Sequence, residues 1–375
     1  MFGPGSGECI QGSTVKTRVV TPHGDLGKDR GMLDAVDLIR RGGIVAFPTE
    51  TVYGLGGDAT NRTAVEKIFE AKRRPADNPA IVHVSSLDEA ARVGVLENDN
   101  IRMLLGRFWP GPLTVVIPAR EPVRSVLCHG LDTVAVRMPA HPIALALIRL
   151  SEVPIAAPSA NLSGRPSATN AGHVREDFDG VIPLILDGGP CEIGIESTVL
   201  EVVADEVRIL RPGAVSRADI ESALGHAVSI AEVSDSARSP GTRYPHYRPS
   251  VPVVVVARAI SEAALGILFL HLRRSDPLRR PIGYIGPVES SHVASIPELV
   301  VRVVNTANEL ANSLYGHLRD LDGNGVGVIV VREVFSEAAV MDRVNRAASF
   351  MIRSDSELVE QAVLSSLLSL MRDGA

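Results

Sequence analysis

I-V-A-F-P-T-E-T-V-Y-G-L-G-G-D, residues Ile44 to Asp58, begins as an apolar strand and breaks into a turn rich in Thr and Gly. A helical segment, Thr63–Arg73, follows and ends in the basic cluster Lys72, Arg73 and Arg74; Pro75 stops it before a second apolar strand, Ala80–Val84. Gly lets backbone approach a ligand closely, and Thr hydroxyls can hydrogen-bond one. Lys and Arg beside such a surface suit phosphate. The combination predicts a site for a small polar molecule plus a nucleotide. Each part also has a plainer explanation. A Gly-rich turn can simply reverse the chain, and cations at a helix C-terminus complement the macrodipole while staying solvated.

Working outward, strands are predicted at Thr14–Thr21, Leu113–Pro118, Thr133–Arg137, Pro154–Ala157, Leu184–Asp187, Thr198–Val203 and Val207–Leu210. Helices are predicted at Met32–Arg41, which stops at the pair Gly42-Gly43, and at His141–Leu150 and Arg217–Leu224. The elements mix without regular β-α-β alternation, so the fold class is α/β on a twisted mixed sheet, not a doubly wound one. Residues 1–13 read as a disordered tail and 14–228 as the first domain. Residues 229–251, with Pro240, Pro245 and Pro249, read as a linker. A smaller α/β, Rossmann-like domain is expected over 252–375. Its expected strands are Val253–Ala257, Ile267–Leu272, Ile282–Ile285, Leu299–Val304 and Val326–Val331. Its expected helices are Ile260–Gly266, Asn308–Leu321, Ser336–Ser349 and Ser356–Met371.

Composition narrows the function classes. The 375 residues are 45% hydrophobic and 22% charged, with formal net charge -6, which argues against a strongly basic nucleic-acid binder. The three cysteines, Cys9, Cys128 and Cys191, have no metal-ligand spacing and read as small buried hydrophobes. No apolar run is long enough for a bilayer and the start lacks signal-peptide character, so a cytoplasmic protein without membrane contact is expected.

A P-loop motif is absent. Gly54, Gly56 and Ala59 match only a loose dinucleotide pattern, out of place relative to the strand. A second cluster, Ala156-Ala157-Pro158-Ser159-Ala160-Asn161-Leu162-Ser163-Gly164-Arg165-Pro166-Ser167, offers donors to an anion or caps the next helix. Arg137 ends an apolar strand and calls for an anionic partner, either substrate or structural carboxylate. Ser197 and Arg211 sit at strand edges, and His83 inside a strand reads by itself as a core histidine. No Ser-His-Asp order, paired-carboxylate motif or H-E-x-x-H is present. Donors and cations outnumber bases, as nucleotidyl or phosphoryl transfer requires.

Taken together the blocks P-T-E-T-V-Y-G-L-G, K-R-R-P-x-x-N-P, F-W-P-G-P-L-T, V-A-V-R-M-P, A-P-S-A-N-x-S-G, I-E-S-T-V and L-R-P-G resemble the YrdC-like family of threonylcarbamoyl-AMP synthases over about Val19 to Leu224. The linker S-P-G-T-R-Y-P-H-Y-R-P and the region after it resemble the long, two-domain form. Thr242, Pro245 and Arg248 depart from that linker pattern. The resemblance implies an enzyme that makes threonylcarbamoyl-AMP and pyrophosphate from L-threonine, bicarbonate and ATP, with Mg²⁺. Partner proteins would pass the group to tRNA. It implies Thr51, His83, Arg137, Ala157 and Ser197 for threonine. For ATP it implies Arg74, Asn78, Thr133, Ser159, Asn161, Ser167 and Arg211. Lys72 and Arg74 would serve the chemistry, no residue would be a dedicated metal ligand, and Tyr244, His246 and Tyr247 would form a linker gate. Competing readings are an RNA-binding module using the basic cluster, with weak RNA binding; a carbamoyltransferase relative, whose extra acylphosphatase and zinc-finger regions are missing here; and a related family member of unknown activity without a second domain, which the long linker and second domain disfavour.

Overall fold

The computed structural model describes residues 15–75, 78–128, 130–203, 205–231, 247–287, 296, 298–333 and 335–359. The predicted tail, Tyr244, His246, and most of the last predicted helix lie outside them. Eleven strands form one mixed sheet: β1 (Arg18–Val20), β2 (Val45–Phe47), β3 (Gly54–Asp58), β4 (Ile81–His83), β5 (Leu113–Pro118), β6 (Thr133–Arg137), β7 (Ile155–Ala156), β8 (Leu184–Leu186), β9 (Thr198–Val203), β10 (Glu206–Arg211) and β11 (Ser229–Ile230). Their order is β1-β8-β2-β3-β7-β4-β6-β5-β9-β10-β11.

The Gly-rich segment corrects the sequence reading. Gly54–Asp58 is not part of the turn but a strand, antiparallel to β2 and β7. A Cβ on Gly56 would lie 2.6 Å from both Ile155 and Phe47, so the glycine lets the neighbouring strands close up. The turn itself is confined to Pro48–Tyr53.

Alternation along the central strands sorts side chains onto two faces. Val82, Val115, Val134 and Val136 enter the large core, which also holds Val65, Ile68, Leu104 and Phe178 from helices. The opposite face of the same strands carries Ile81, Val116, Ala135, Val199 and Leu210, a small cluster drawn from strands alone. His83 pairs with Arg137 across β4 and β6, on that second face. The polar groups therefore stand where the sheet presents its less covered side.

The helix Arg62–Lys72 is capped by Asn61, whose side chain accepts from the N–H groups of Thr63 and Ala64. Arg73 ends it in the left-handed conformation, φ 50°, which turns Lys72 inward and sends Arg74 toward β4.

The second sheet is entirely parallel: β12 (Val253–Val256), β13 (Ile282–Gly286), β14 (Leu299–Val303), β15 (Val328–Arg332) and β16 (Phe350–Ile352). Its order, β14-β13-β15-β12-β16, sets β15 between the first two strands. The predicted strand Ile267–Leu272 is instead part of a helix, Glu262–Ser275. The run I-L-F-L-H-L looks strand-like, yet Ala264, Leu265, Leu268, Phe269 and Leu272 are buried, at helical spacing, while Ile267 and Leu270 are about half exposed.

Candidate active site

Three segments converge on one cleft: the turn Pro48–Tyr53, the loop Ala157–Ser167 and the strap leading to Ser197. Backbone hydrogen bonds hold them together. Tyr53 donates to Ala168 O and accepts from Ala160 N, at 2.8 and 2.7 Å. Ile193 and Gly194 N–H groups donate to Glu50 O and Thr51 O, at 2.9 and 3.1 Å. The Thr49 hydroxyl donates to Val52 O at 2.6 Å and accepts from Val52 N–H, so the turn is internally fixed.

The inner cavity is about 60 Å³. Its lining includes Thr51, Arg74, His83, Arg137, Ala157, Ser159, Asn161, Ser167, Ser197, Arg211 and Tyr247, eleven residues singled out from sequence. Three singled-out residues do not line it. Lys72 is wholly buried, and its ammonium donates to Ser159 O and Asn161 O, both at 2.5 Å. Asn78 is buried and its carbonyl accepts from Arg74 Nε at 3.1 Å. Thr133 lies four residues before Arg137 on the same face of β6, roughly 13 Å along the strand.

Arg137 is the centre of the threonine-side cluster. Its Nη1 donates to Thr51 Oγ1 at 2.8 Å and its Nε to Gly111 O at 3.1 Å. Its Nη2 lies 2.6 Å from Glu50 Oε1, a buried ion pair whose angle is poor for a hydrogen bond. Both Glu50 oxygens and Arg137 Nη2 thus keep hydrogen-bonding capacity. His83 stands beside them, 3% exposed, edge-on to Phe47, with Nδ1 unpartnered. Burial, reinforced by the Arg137 charge, lowers its pKa to about 3, so its ring is neutral in the fold. A buried neutral imidazole with one open nitrogen is a ready partner for a polar ligand group.

On the other side, Arg211 Nη2 donates to Ser197 O at 2.9 Å, and Ser197 Oγ shares a hydrogen bond with Thr114 Oγ1 at 2.7 Å. Arg74 is steered by the carbonyl of Pro79, 2.7 Å from Nη2. Ser159 Oγ donates to Asn161 Oδ1 at 2.5 Å, and Asn161 Nδ2 donates to Leu162 O and Arg165 O. Lys72 and Asn161 therefore shape the loop from beneath. Burial pushes the Lys72 pKa well below its usual value.

Sequence reasoning missed Glu50 and Glu196. Glu196 accepts from Ser167 Oγ at 2.7 Å, from Tyr315 Oη at 2.9 Å and from Arg343 Nε at 3.0 Å. Tyr315 and Arg343 belong to the helices Ala307–Gly323 and Ala338–Ala347 of the second sheet's unit. Arg319, on the first of those helices, reaches Asp177 at 2.7 Å and Pro166 O at 2.6 Å. Val52 and Ile195 pack into the same apolar cluster as Tyr247, Leu314 and Tyr315. Gly194 fits because a Cβ there would lie 2.6 Å from Ala311 O. The signal for Glu196 was its place in I-E-S-T-V; nothing local marked Arg343 as its partner.

Among the described residues the lining sets three guanidiniums, Arg74, Arg137 and Arg211, beside hydroxyls and the carboxylate of Glu196. Fold and cleft define a nucleotidyl-transfer class of enzyme, and the comparisons sharpen it. The family described as "Telomere recombination", Sua5/YciO/YrdC, matches residues 37–213, and "Threonylcarbamoyl-AMP synthase, C-terminal domain" matches residues 215–349. A threonylcarbamoyl-AMP synthase from Pyrococcus abyssi is 45% identical over 325 residues, 85% of this chain and 94% of the relative. One from Schizosaccharomyces pombe is 39% identical, covering 83% and 86% of the two chains. The crystal structure of P. abyssi Sua5 complexed with L-threonine superposes with a TM-score of 0.81 at 41% identity, over 90% of this chain and 99% of that one. The chain belongs to the threonylcarbamoyl-AMP synthase family in its two-domain form.

Proposed function

We propose that this chain forms threonylcarbamoyl-AMP and pyrophosphate from L-threonine, bicarbonate and ATP, for tRNA threonylcarbamoyladenosine synthesis. The observation that carries the reading is the meeting of Arg137, Thr51, His83, Arg74, Ser197 and Arg211 in one cleft. Threonine sits against Thr51, His83, Arg137, Ser197 and the backbone of Ala157. ATP extends past Ser159, Asn161, Ser167, Arg74 and Arg211, with Asn78 and Thr133 at its far end. Lys72 acts by holding the Ser159 and Asn161 carbonyls.

The threonine amine and bicarbonate condense to an N-carboxylate with loss of water. That carboxylate attacks the α-phosphorus of ATP, and the bond to the leaving pyrophosphate breaks. Two anions must approach, so guanidiniums placed in advance lower the barrier. The attacking carboxylate is ionised at neutral pH, so the reaction needs no strong general base. Among the described residues no cluster of three or more His, Cys, Asp or Glu could hold a metal. Glu196, in the cavity lining, and Glu50, paired with Arg137, already face arginines. Mg²⁺ would arrive with ATP and would offset phosphate charge, with no residue of this chain assigned as its ligand. The inner cavity is far below the roughly 300–1,000 Å³ of ordinary ligand pockets. Tyr247 lines this cavity, and Tyr244, His246 and Tyr247 are assigned the part of a gate.

In this reading residues 14–228 are the catalytic domain, 229–251 the linker and 252–375 the second domain. The protein works in the cytoplasm and hands the adenylate to partner proteins, with RNA contact weak. No helix among the described residues is long and apolar enough to cross a membrane. Mass spectrometry of a reaction with ATP, Mg²⁺, L-threonine and bicarbonate tests it. Product that disappears when either threonine or bicarbonate is omitted is expected; no adenylate with any amino acid would overturn it.

A further inference from the structure

The carboxylate of Glu196 is out of place in a cleft that must gather anions. It stands next in sequence to Ser197, whose carbonyl holds Arg211. Its Oε1 accepts from Ser167, one of the residues assigned to ATP, and its Oε2 from Tyr315 and Arg343. An uncompensated negative charge here would repel a triphosphate and draw on Arg211. Arg343 is fully buried and its Nη1 is anchored by Pro212 O at 2.6 Å and by Asp342 Oδ2 at 2.9 Å. Its guanidinium is therefore aimed at Glu196 by groups on both sides of the junction.

We propose that Glu196 and Arg343 are positioning residues for ATP: Arg343, supplied by the second domain, neutralises Glu196, so that Glu196 orients Ser167 without taking Arg211 away from the phosphates. This rests on the synthase reading and extends it by giving the second domain a part in nucleotide affinity. Electrostatics agrees in sign. Burial by itself would raise the Glu196 pKa, but Arg343 and then Arg211 outweigh it and hold it at about 2.

Steady-state kinetics and calorimetric MgATP binding on the full chain test the proposal, with thermal unfolding run in parallel. Arg343→Met raises KM for ATP roughly tenfold and leaves KM for threonine within about twofold. The double variant Glu196→Gln with Arg343→Met recovers most of the ATP affinity, because a neutral residue needs no counter-ion. Glu196→Gln alone keeps Arg343 paired with Asp342 and binds MgATP as tightly as the parent or tighter. If Arg343→Met does not fold, Arg343→Gln, which keeps a donor toward Glu196 but no charge, takes its place with the same expected rise in KM for ATP at constant KM for threonine. Equal rises in both KM values, a kcat loss at constant KM for ATP, or weaker MgATP binding by Glu196→Gln would each reduce the pair to a domain staple and overturn the proposal. Failure of the synthase reading is separate: the parent enzyme would make no threonylcarbamoyl-AMP, whatever the order of MgATP affinities.

Discussion

The mixed sheet's unit is threaded with buried polar side chains, from Thr49 and Glu50 through Lys72 and His83 to Glu196 and Arg211. The parallel sheet's unit buries four among the described residues: Asp276, Arg319, Arg332 and Arg343. Two of those four reach out of their own unit. Arg319 reaches Asp177 and Pro166, and Arg343 reaches Glu196 and Pro212. Buried charge is costly unless paired, so its location marks where a protein needs it. In the first unit Arg137, Glu196 and Arg211 stand at the cleft, and in the second Arg319 and Arg343 face the loop and strap that form its wall, while Asp276 and Arg332 pair with Arg280 and Glu262 within their own unit. The second unit is thus tied to the site by ion pairs and not only by a tether.

Breaking the first unit's own pair has the largest effect. Arg137→Ala leaves Glu50 buried without its counter-ion, which costs about 3–5 kcal/mol of stability. It also removes the donor to Thr51, so threonine-dependent product formation is lost. Denaturant unfolding and product analysis read the two consequences separately, and normal turnover would remove Arg137 from the site. Next comes the pair that crosses between units. In Arg319→Met, Asp177 keeps Arg165 at 2.5 Å, so the cost is smaller, about 2–3 kcal/mol. The loop at Pro166 loosens as well, and hydrogen exchange over residues 159–168 should rise. Unchanged exchange there would mean that the second unit does not brace the loop.

Arg74→Ala removes a charge-assisted contact to ATP and weakens its binding by about 1.5–3 kcal/mol, with little effect on unfolding. Unaltered MgATP affinity in calorimetry would count against that placement. The smallest effect is on pH dependence. His83 has a folded pKa of about 3, below its ordinary 6.5. The unfolded chain therefore binds the proton more readily, and the stabilisation is complete above pH 6.5 and is lost as pH falls toward 3. Lowering pH from 6.5 to 5.5 costs about 1 kcal/mol from this residue. His173, lowered to about 4 by burial, acts in the same direction. Glu196 adds its loss only as pH falls from 4.5 toward 2. His83→Gln should flatten the upper part of the curve, and parallel curves would show that the ring is not held neutral.

Much of this was legible before any coordinates. Leu113–Pro118, Thr133–Arg137 and Thr198–Val203 are strands with the predicted limits, because runs so rich in β-branched residues leave little choice. Arg217–Leu224 is likewise a helix with its predicted limits. The helices Leu87–Val93, Asp99–Phe108 and Ala171–Phe178, capped by Ser86, Asn98 and Asn170, are additions of the structure to the predicted elements. Those caps are readable in the sequence, and Asp99–Phe108 also buries Ile101, Leu104 and Leu105 at helical spacing. Ile267–Leu272 failed because an unbroken apolar run does not state its period.

The cleft divides along the same line. Sequence alone determined the chemistry on offer: hydroxyls in P-T-E-T, guanidiniums at Arg74, Arg137 and Arg211, and an anion-friendly loop at Ser159–Ser167. These are properties of residue types in local patterns, and local patterns survive without a fold. Tertiary structure alone decided which of them face one another. It turned Lys72 beneath the loop instead of into the cleft. It also set Glu50 against Arg137 and brought Arg343 to Glu196 across 147 positions of sequence. No local propensity encodes such a pairing, because the partners are chosen by how two sheets pack and by the cost of leaving either charge buried alone.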